Sequence, residues 1–201
     1  MSVFDARDVG LSPWRVGRPQ DAIIRLAENG LISGDVLDLG CGAGDNSLFL
    51  AEVGFDVCGV DVASRAVSEA QAKAATRDLR AEFLTADVLH LPKLDRRFDT
   101  VIDCGLFHTF TNESRALYRR SLASVMRPGA SLFLLCVSEE EESDWGGPRR
   151  ITRRELHDCF NGRFAIESIE PTRYRSALNP QGAKSWLVRV LYLGVPVSTK
   201  N

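Results

Sequence analysis

The sequence predicts a doubly wound α/β fold: a mainly parallel sheet with helices on both faces and an antiparallel hairpin at its end. Three observations carry that expectation. Short apolar runs of β-branched character alternate with helical patterns between residues 35 and 138. A glycine-rich turn, Gly40-Cys41-Gly42-Ala43-Gly44, follows directly on the first of those runs. The tail then carries two strand-like stretches joined by a short turn-rich connection, and such pairs run antiparallel.

The elements follow in order. "DVLDLG" (35–40) is the first strand and "DNSLFLAEVG" the helix after it. "DVCGVD" (56–61) is the second strand, followed by a helix over 64–77 with Ser64 placed as N-cap. "AEFLTAD" (81–87) and "FDTVIDCG" (98–105) supply strands three and four. An amphipathic helix over 113–126 stops at Arg127-Pro128-Gly129, and "ASLFLLCVS" (130–138) is strand five. A polar stretch, "EEEESDWGGPRR" (139–150), precedes a short helix opened by the capping box Thr152-Arg153-Arg154-Glu155. The hairpin "FAIESIEPTRY" and "SWLVRVLYLGV" is expected to turn at "NPQG" (179–182). Ahead of all this, residues 2–20 form an N-terminal segment long enough to fold over a ligand, with a helix starting near Pro19.

Bulk properties narrow the function classes. A chain of 201 residues favours one domain with a substantial core. No apolar run approaches the roughly 20 residues that cross a bilayer, and "MSVFDARDVG" lacks the apolar core of a secretory signal, so a cytoplasmic protein is expected. The formal net charge of −2 argues against a protein living on nucleic acid phosphates. Five scattered cysteines without a CxxC pair fit reduced, mostly buried thiols. The three histidines have no metal-ligand spacing, so no metal site is expected.

Ligands of open α/β sheets bind beyond the carboxyl ends of the strands, beside strand one. The glycine turn, Asp61, Asp87 and "CGLFHTF" (104–110) converge there. A dinucleotide site needs a small sixth residue in GxGxxG, but here that residue is Asp45, an anion where a pyrophosphate should sit. A nucleoside without phosphates fits better. Asp61, ending strand two, suits the two ribose hydroxyls; Asp87 suits an adenine amine, with Val88 offering a backbone N–H; Asp38 suits an amino-acid tail.

"VLDLGCGAG", "GVD" and "TADV" together resemble the cofactor-binding signature of class I S-adenosylmethionine-dependent methyltransferases, over about residues 35–137. The resemblance implies a Rossmann-like sheet of seven strands in order 3-2-1-4-5-7-6 with strand seven antiparallel. It implies S-adenosyl-L-methionine as cofactor and one domain over 1–201: a covering segment (1–30), a cofactor core (35–137) and a substrate-side region (138–201). "PWRVGRPQ" (13–20) is similar to the cofactor-covering segment of thiopurine and halide/thiol methyltransferases, departing from it at Arg15, where those enzymes usually carry Asp. "CGLFHTF" and "DWGGPRRITRREL" resemble small bacterial enzymes that methylate quinolone- or quinone-like aromatics.

The implied cofactor-binding residues are Trp14, Gly17, Asp38, Gly40, Cys41, Gly42, Gly44, Asn46, Asp61, Val62, Asp87, Val88, Cys104 and Gly105. Arg18, Phe107, His108, Phe110 and Trp145 are expected on the substrate side, with His108 the candidate catalytic base because its unperturbed pKa near 6.5 suits neutral pH. Each has a plainer reading. His108 can order the loop, one of the two phenylalanines can be core, and Trp14 or Trp145 can be packing or surface. Cys41 is a small apolar residue in a turn, and the cluster Arg149, Arg150, Arg153, Arg154 can neutralise Glu139–Glu142. The expected acceptor is a small aromatic or thiol-bearing molecule methylated on O, S or N, by a monomer or weak homodimer that binds neither nucleic acid nor membrane. A nucleic-acid or protein methyltransferase and a catalytically silent cofactor-binding protein are the alternatives.

Overall fold

The computed structural model describes residues 14–144 and 147–194. The reading of Trp145, and that of residues 1–13, therefore lies outside the described residues. The elements are α1 (Asp21–Glu28), β1 (Val36–Leu39), α2 (Asp45–Glu52), β2 (Val57–Asp61), α3 (Ser64–Thr76), β3 (Ala81–Thr85), β4 (Phe98–Cys104), α4 (Asn112–Val125), β5 (Met126–Val137), α5 (Arg153–Cys159), β6 (Phe164–Ser176) and β7 (Asn179–Tyr192). Short 3-10 segments lie at Val88–Leu94 and Phe107–Thr109.

One seven-stranded sheet has the order β3-β2-β1-β4-β5-β7-β6. β1 pairs in parallel with β2 and β4, β2 with β3, and β4 with β5. β7 is antiparallel to both its neighbours, β5 and β6. The alternation of side chains along each strand divides the core into two faces. Leu37, Leu39, Val60, Val101 and Leu134 face α4 and α5, packing with Tyr118, Leu122 and Leu156. Val36, Val57, Ile102 and Phe133 face α1 and α2, packing with Ile23, Leu26 and Leu50.

The helix at residue 152 opens as its sequence requires: Thr152 accepts from Glu155 N–H, and the Glu155 side chain accepts from Thr152 N–H. Two local expectations are corrected. Ser64 is not the N-cap of α3; Ala63 is, and its own N–H is taken by Asp61 Oδ1 at 2.8 Å. The hairpin does not turn at 179–182. Ser176 pairs with Asn179, so Ala177-Leu178 make the turn, with Ser176 Oγ accepting from Leu178 N–H. "NPQG" instead lies inside β7 at a register shift, where Gly182 takes φ +76°.

Gly44 shows why the turn after β1 is built of glycine. It is the N-cap of α2 at φ +83°, and a Cβ there would lie 2.9 Å from Ala70 Cβ and 3.0 Å from the Phe83 ring. Gly42 also has positive φ, +54°, but a Cβ there would meet nothing within 4 Å. Both alanine substitutions therefore meet backbone strain of about 1–2 kcal/mol, whereas only Gly44→Ala adds a clash. Urea unfolding should place Gly44→Ala about 1–2 kcal/mol below Gly42→Ala. Equal losses would remove the packing argument.

Candidate functional site

The floor of the site is the turn 40–44 and the carboxyl ends of β1, β2 and β4. Asp61, at the end of β2, holds the turn open: its Oδ2 accepts from Gly42 N–H at 2.9 Å while Oδ1 accepts from Ala63 N–H. Lys73 of α3 donates to the Ala43 carbonyl and to Asp45 Oδ1, both at 3.1 Å. The anion at the start of α2 is thus already present and paired, which disfavours a pyrophosphate there. Space above Gly42 leaves room for a ligand to approach the backbone. Asp38 lies under the turn, 1% exposed, accepting from Ser47 Oγ at 2.6 Å. Burial pushes its pKa up to about 7, with Ser47 opposing and the charges of Asp103 and Asp61 adding to the rise. A nucleoside with a charged amino-acid tail fits this set: backbone N–H groups, open space over Gly42, and carboxylates instead of phosphate-binding cations.

Residues 14–20 are fastened at both ends. Arg15 pairs with Glu69 of α3, which also pairs with Lys73. At the other end Gln20 N–H donates to Asn46 Oδ1, and the Gln20 side chain bonds both the N–H and the carbonyl of Arg175 on β6. Arg175 and Arg18 both pair with Asp21. The segment accordingly runs from α3 past α2 to β6. Within it Trp14 is 51% exposed, Gly17 takes φ +70° and Arg18 is exposed.

The segment after β4 forms one wall. Asp103, fully buried, accepts from the N–H groups of Leu106 and Phe107 and from the Tyr118 hydroxyl at 2.6 Å. That carboxylate fixes the path of residues 105–108. His108 is 5% exposed, and its Nδ1 accepts from Val137 N–H at 3.3 Å. Burial drives its pKa down to about 4 against a smaller upward pull from the Gly105 carbonyl, so the imidazole is neutral at neutral pH. The ring stands edge-on to Tyr174, centroids 5.9 Å apart. Phe107 lies wholly in the core, against Tyr118 and Phe160 and under the Arg115 guanidinium, which leaves Phe110 as the half-buried member of the pair. Burial strongly raises the thiol pKa of Cys104, against a smaller downward pull from the Asn46 side chain, and that of Cys41.

The third strand end is looser. Asp87 caps the segment 88–94 by accepting from Leu89 N–H, and its other oxygen meets His90 Nδ1 at 2.9 Å. Val88 is buried, whereas Val62 is 57% exposed beside Asp61. The arginine cluster does not neutralise Glu139–Glu142 through its side chains. Arg149 pairs with Glu155, Arg154 with Asp158, and Arg153 lies over the Trp186 ring. Glu142 pairs with Lys184, and Glu141 accepts from Ser143 and from the Lys184 backbone. Among the described residues no group of three or more His, Cys, Asp or Glu could hold a metal ion, and no helix is long and apolar enough to cross a membrane.

A model of the methyltransferase domain family matches residues 36–129, which contain the turn, Asp61, Asp87 and the start of the β4 wall. The 2-heptyl-1-hydroxyquinolin-4(1H)-one methyltransferase of Mycobacteroides abscessus is 36% identical over 163 residues, covering 80% of this chain and 72% of the relative. The chain belongs to the S-adenosylmethionine-dependent methyltransferases. Its cofactor is S-adenosylmethionine. This methyltransferase is also similar to the probable thiol methyltransferase 2 of Arabidopsis thaliana, at 30% identity over 144 residues, covering 70% of this chain and 62% of that one. A solved structure from work on "conversion of a disulfide bond into a thioacetal group during echinomycin biosynthesis" superposes with TM-score 0.82 at 34% identity, covering 90% of this chain and 86% of that one.

Sequence reading missed three residues that the structure brings to the candidate site. Asp103 is visible only as a carboxylate inside an apolar strand, Gln20 as a polar residue opening a helix. Tyr174 gives no local signal, because its place depends on the order of the last three strands.

Proposed function

We propose that this methyltransferase acts on a small aromatic or thiol-bearing acceptor that ionises without help from the enzyme, an acidic hydroxyl or a thiol. The observation that carries the proposal is the neutral, aromatic wall after β4. His108, with its pKa at about 4 and Nδ1 already bonded, is a poor base at neutral pH. Asp103 has its carboxylate covered by three donors. The hydroxyquinolone and thiol named for the two curated relatives are acceptors of this kind.

Bound S-adenosylmethionine supplies an electrophilic methyl group, transferred by in-line displacement at carbon. The chain's task is to align the acceptor with that carbon and to exclude water, and positioning of this kind contributes roughly 7–11 kcal/mol. Gly40, Gly42, Asp61 and Asp38 would hold the cofactor, with Asn46, Cys104 and Gly105 near its reactive end. Asp87 and Val88 would meet the adenine. Phe110 and the packed His108 ring would face the acceptor.

The test is the pH dependence of kcat/KM on a panel of aromatic thiols and N-hydroxy heterocycles of graded acidity. The midpoint should follow the pKa of each acceptor, and His108→Gln should leave that midpoint in place while lowering the rate on all acceptors alike. A midpoint that is the same on every acceptor and is abolished in His108→Gln would make His108 the base. Methylation of RNA or protein with none of the small acceptors turned over would overturn the acceptor class.

A further inference from the structure

We propose that the Tyr174 hydroxyl binds the acceptor, donating a hydrogen bond to its ionised oxygen or sulfur beside the carboxyl end of β4. This inference rests on the reading of the acceptor as a small anionic molecule.

Tyr174 belongs to β6, the edge strand, with β7 and β5 lying between it and β4. Its side chain nevertheless reaches Gly105, where an added Cβ would be 2.8 Å from the hydroxyl and 3.0 Å from Cε2. The absence of a side chain at Gly105, itself at φ +87°, is what admits the phenol. The ring is held by Ala22, Leu135, Cys104 and Leu187 and by its edge-on contact with His108.

Tyr118 offers the comparison. Both rings are at least 95% buried, yet the Tyr118 hydroxyl bonds Asp103 at 2.6 Å, whereas no described residue hydrogen-bonds the Tyr174 hydroxyl. The Tyr174 hydroxyl, unlike the fully buried unpartnered atoms of Arg115 and Ser138, reaches accessible space, where a ligand can meet it. Burial, with the neighbouring Cys104 and Asp103, raises the pKa of Tyr174, so the group stays protonated and donates. A donor fixed beside residues 104–105, which the proposed function sets near the reactive end of the cofactor, is placed for the acceptor. The cofactor tail already has Asp38 and the loop amides.

Calorimetry on the whole chain tests this with Tyr174→Phe, which removes one oxygen and keeps the ring packing. Three quantities are compared with the wild type: affinity for S-adenosylhomocysteine, affinity of the S-adenosylhomocysteine-saturated protein for 1-hydroxyquinolin-4(1H)-one and for thiophenol, and Tm. The expected result is a fall of about tenfold to a hundredfold in acceptor affinity, with S-adenosylhomocysteine affinity and Tm unchanged. Steady-state kinetics should show the loss mainly in the acceptor KM. Unchanged acceptor affinity would overturn the inference alone. A fall in S-adenosylhomocysteine affinity would also overturn it, assigning the hydroxyl to the cofactor. Wild-type protein that binds neither probe would instead overturn the acceptor class, and this inference with it.

Discussion

Asp38→Asn is expected to raise the Tm of the cofactor-free methyltransferase at pH 8 while weakening its grip on S-adenosylmethionine. Asp38 is buried under the glycine turn with a hydrogen bond from Ser47, and its pKa stands at about 7. A carboxyl whose folded pKa lies above its unfolded value favours the folded state while protonated. The contribution is fully present below about pH 3.8 and is lost as pH rises through 7. At pH 8 the folded protein therefore holds a desolvated charge that asparagine removes, while an amide oxygen still accepts from Ser47. The gain is on the order of 2–4 kcal/mol, each worth ~2–4 °C of Tm for a chain of this size. At pH 5, between the two pKa values, roughly a third of the gain should remain, because the unfolded carboxyl is already ionised there; it should vanish only below about pH 3.8. Scanning calorimetry at the two pH values, with titration of S-adenosylmethionine at pH 8, reads both effects. A loss of stability of the same size at both pH values would show that the charge is not the destabilising element. Undiminished cofactor affinity would free Asp38 from the cofactor tail. On this reading a group that strains the empty protein would be kept because the ligand uses it, the trade expected of a site residue.

Much of the fold was legible because it rests on local patterns. Alternating apolar residues place Leu37 and Leu39 on one face of the sheet and Val36 and Asp38 on the other. Thr152 and Glu155 cap α5 as their spacing requires. The failures are equally physical. Ser64 was a plausible cap by composition, but Asp61 already holds the amide of Ala63, and α3 starts without a side-chain cap. "NPQG" carries turn residues and yet forms a bulge, because the antiparallel register with β6 is fixed by packing on both sides of it. Phe107 and Phe110 are equivalent in sequence and both meet Tyr118; the further contacts of Phe107 with Arg115 and Phe160 separate the core residue from the half-buried one. For the site, the glycine turn and its acids could be read from one stretch of chain. Tyr174 could not, since its approach to Gly105 spans 69 residues and two intervening strands.

Asp61→Ala should weaken S-adenosylmethionine binding more than any other single change at the cofactor end. Its carboxylate receives one N–H from each side of the site, Gly42 in the turn and Ala63 at the start of α3. Each oxygen keeps a further lone pair for a ribose hydroxyl. Hydrogen bonds to a charged acceptor contribute roughly 1.5–3 kcal/mol, and the substitution also releases two backbone donors that shape the turn. The expected loss of affinity is thus at least about tenfold to a hundredfold. Direct contact and bracing can be separated with a 2′-deoxyribose analogue of S-adenosylhomocysteine. If Asp61 touches the hydroxyl, the wild type should bind the analogue more weakly than S-adenosylhomocysteine, whereas Asp61→Ala should bind the two alike. Losses that add independently would assign Asp61 to bracing alone, because groups in contact do not add. Unchanged affinity for S-adenosylmethionine in Asp61→Ala would remove the residue from the site altogether.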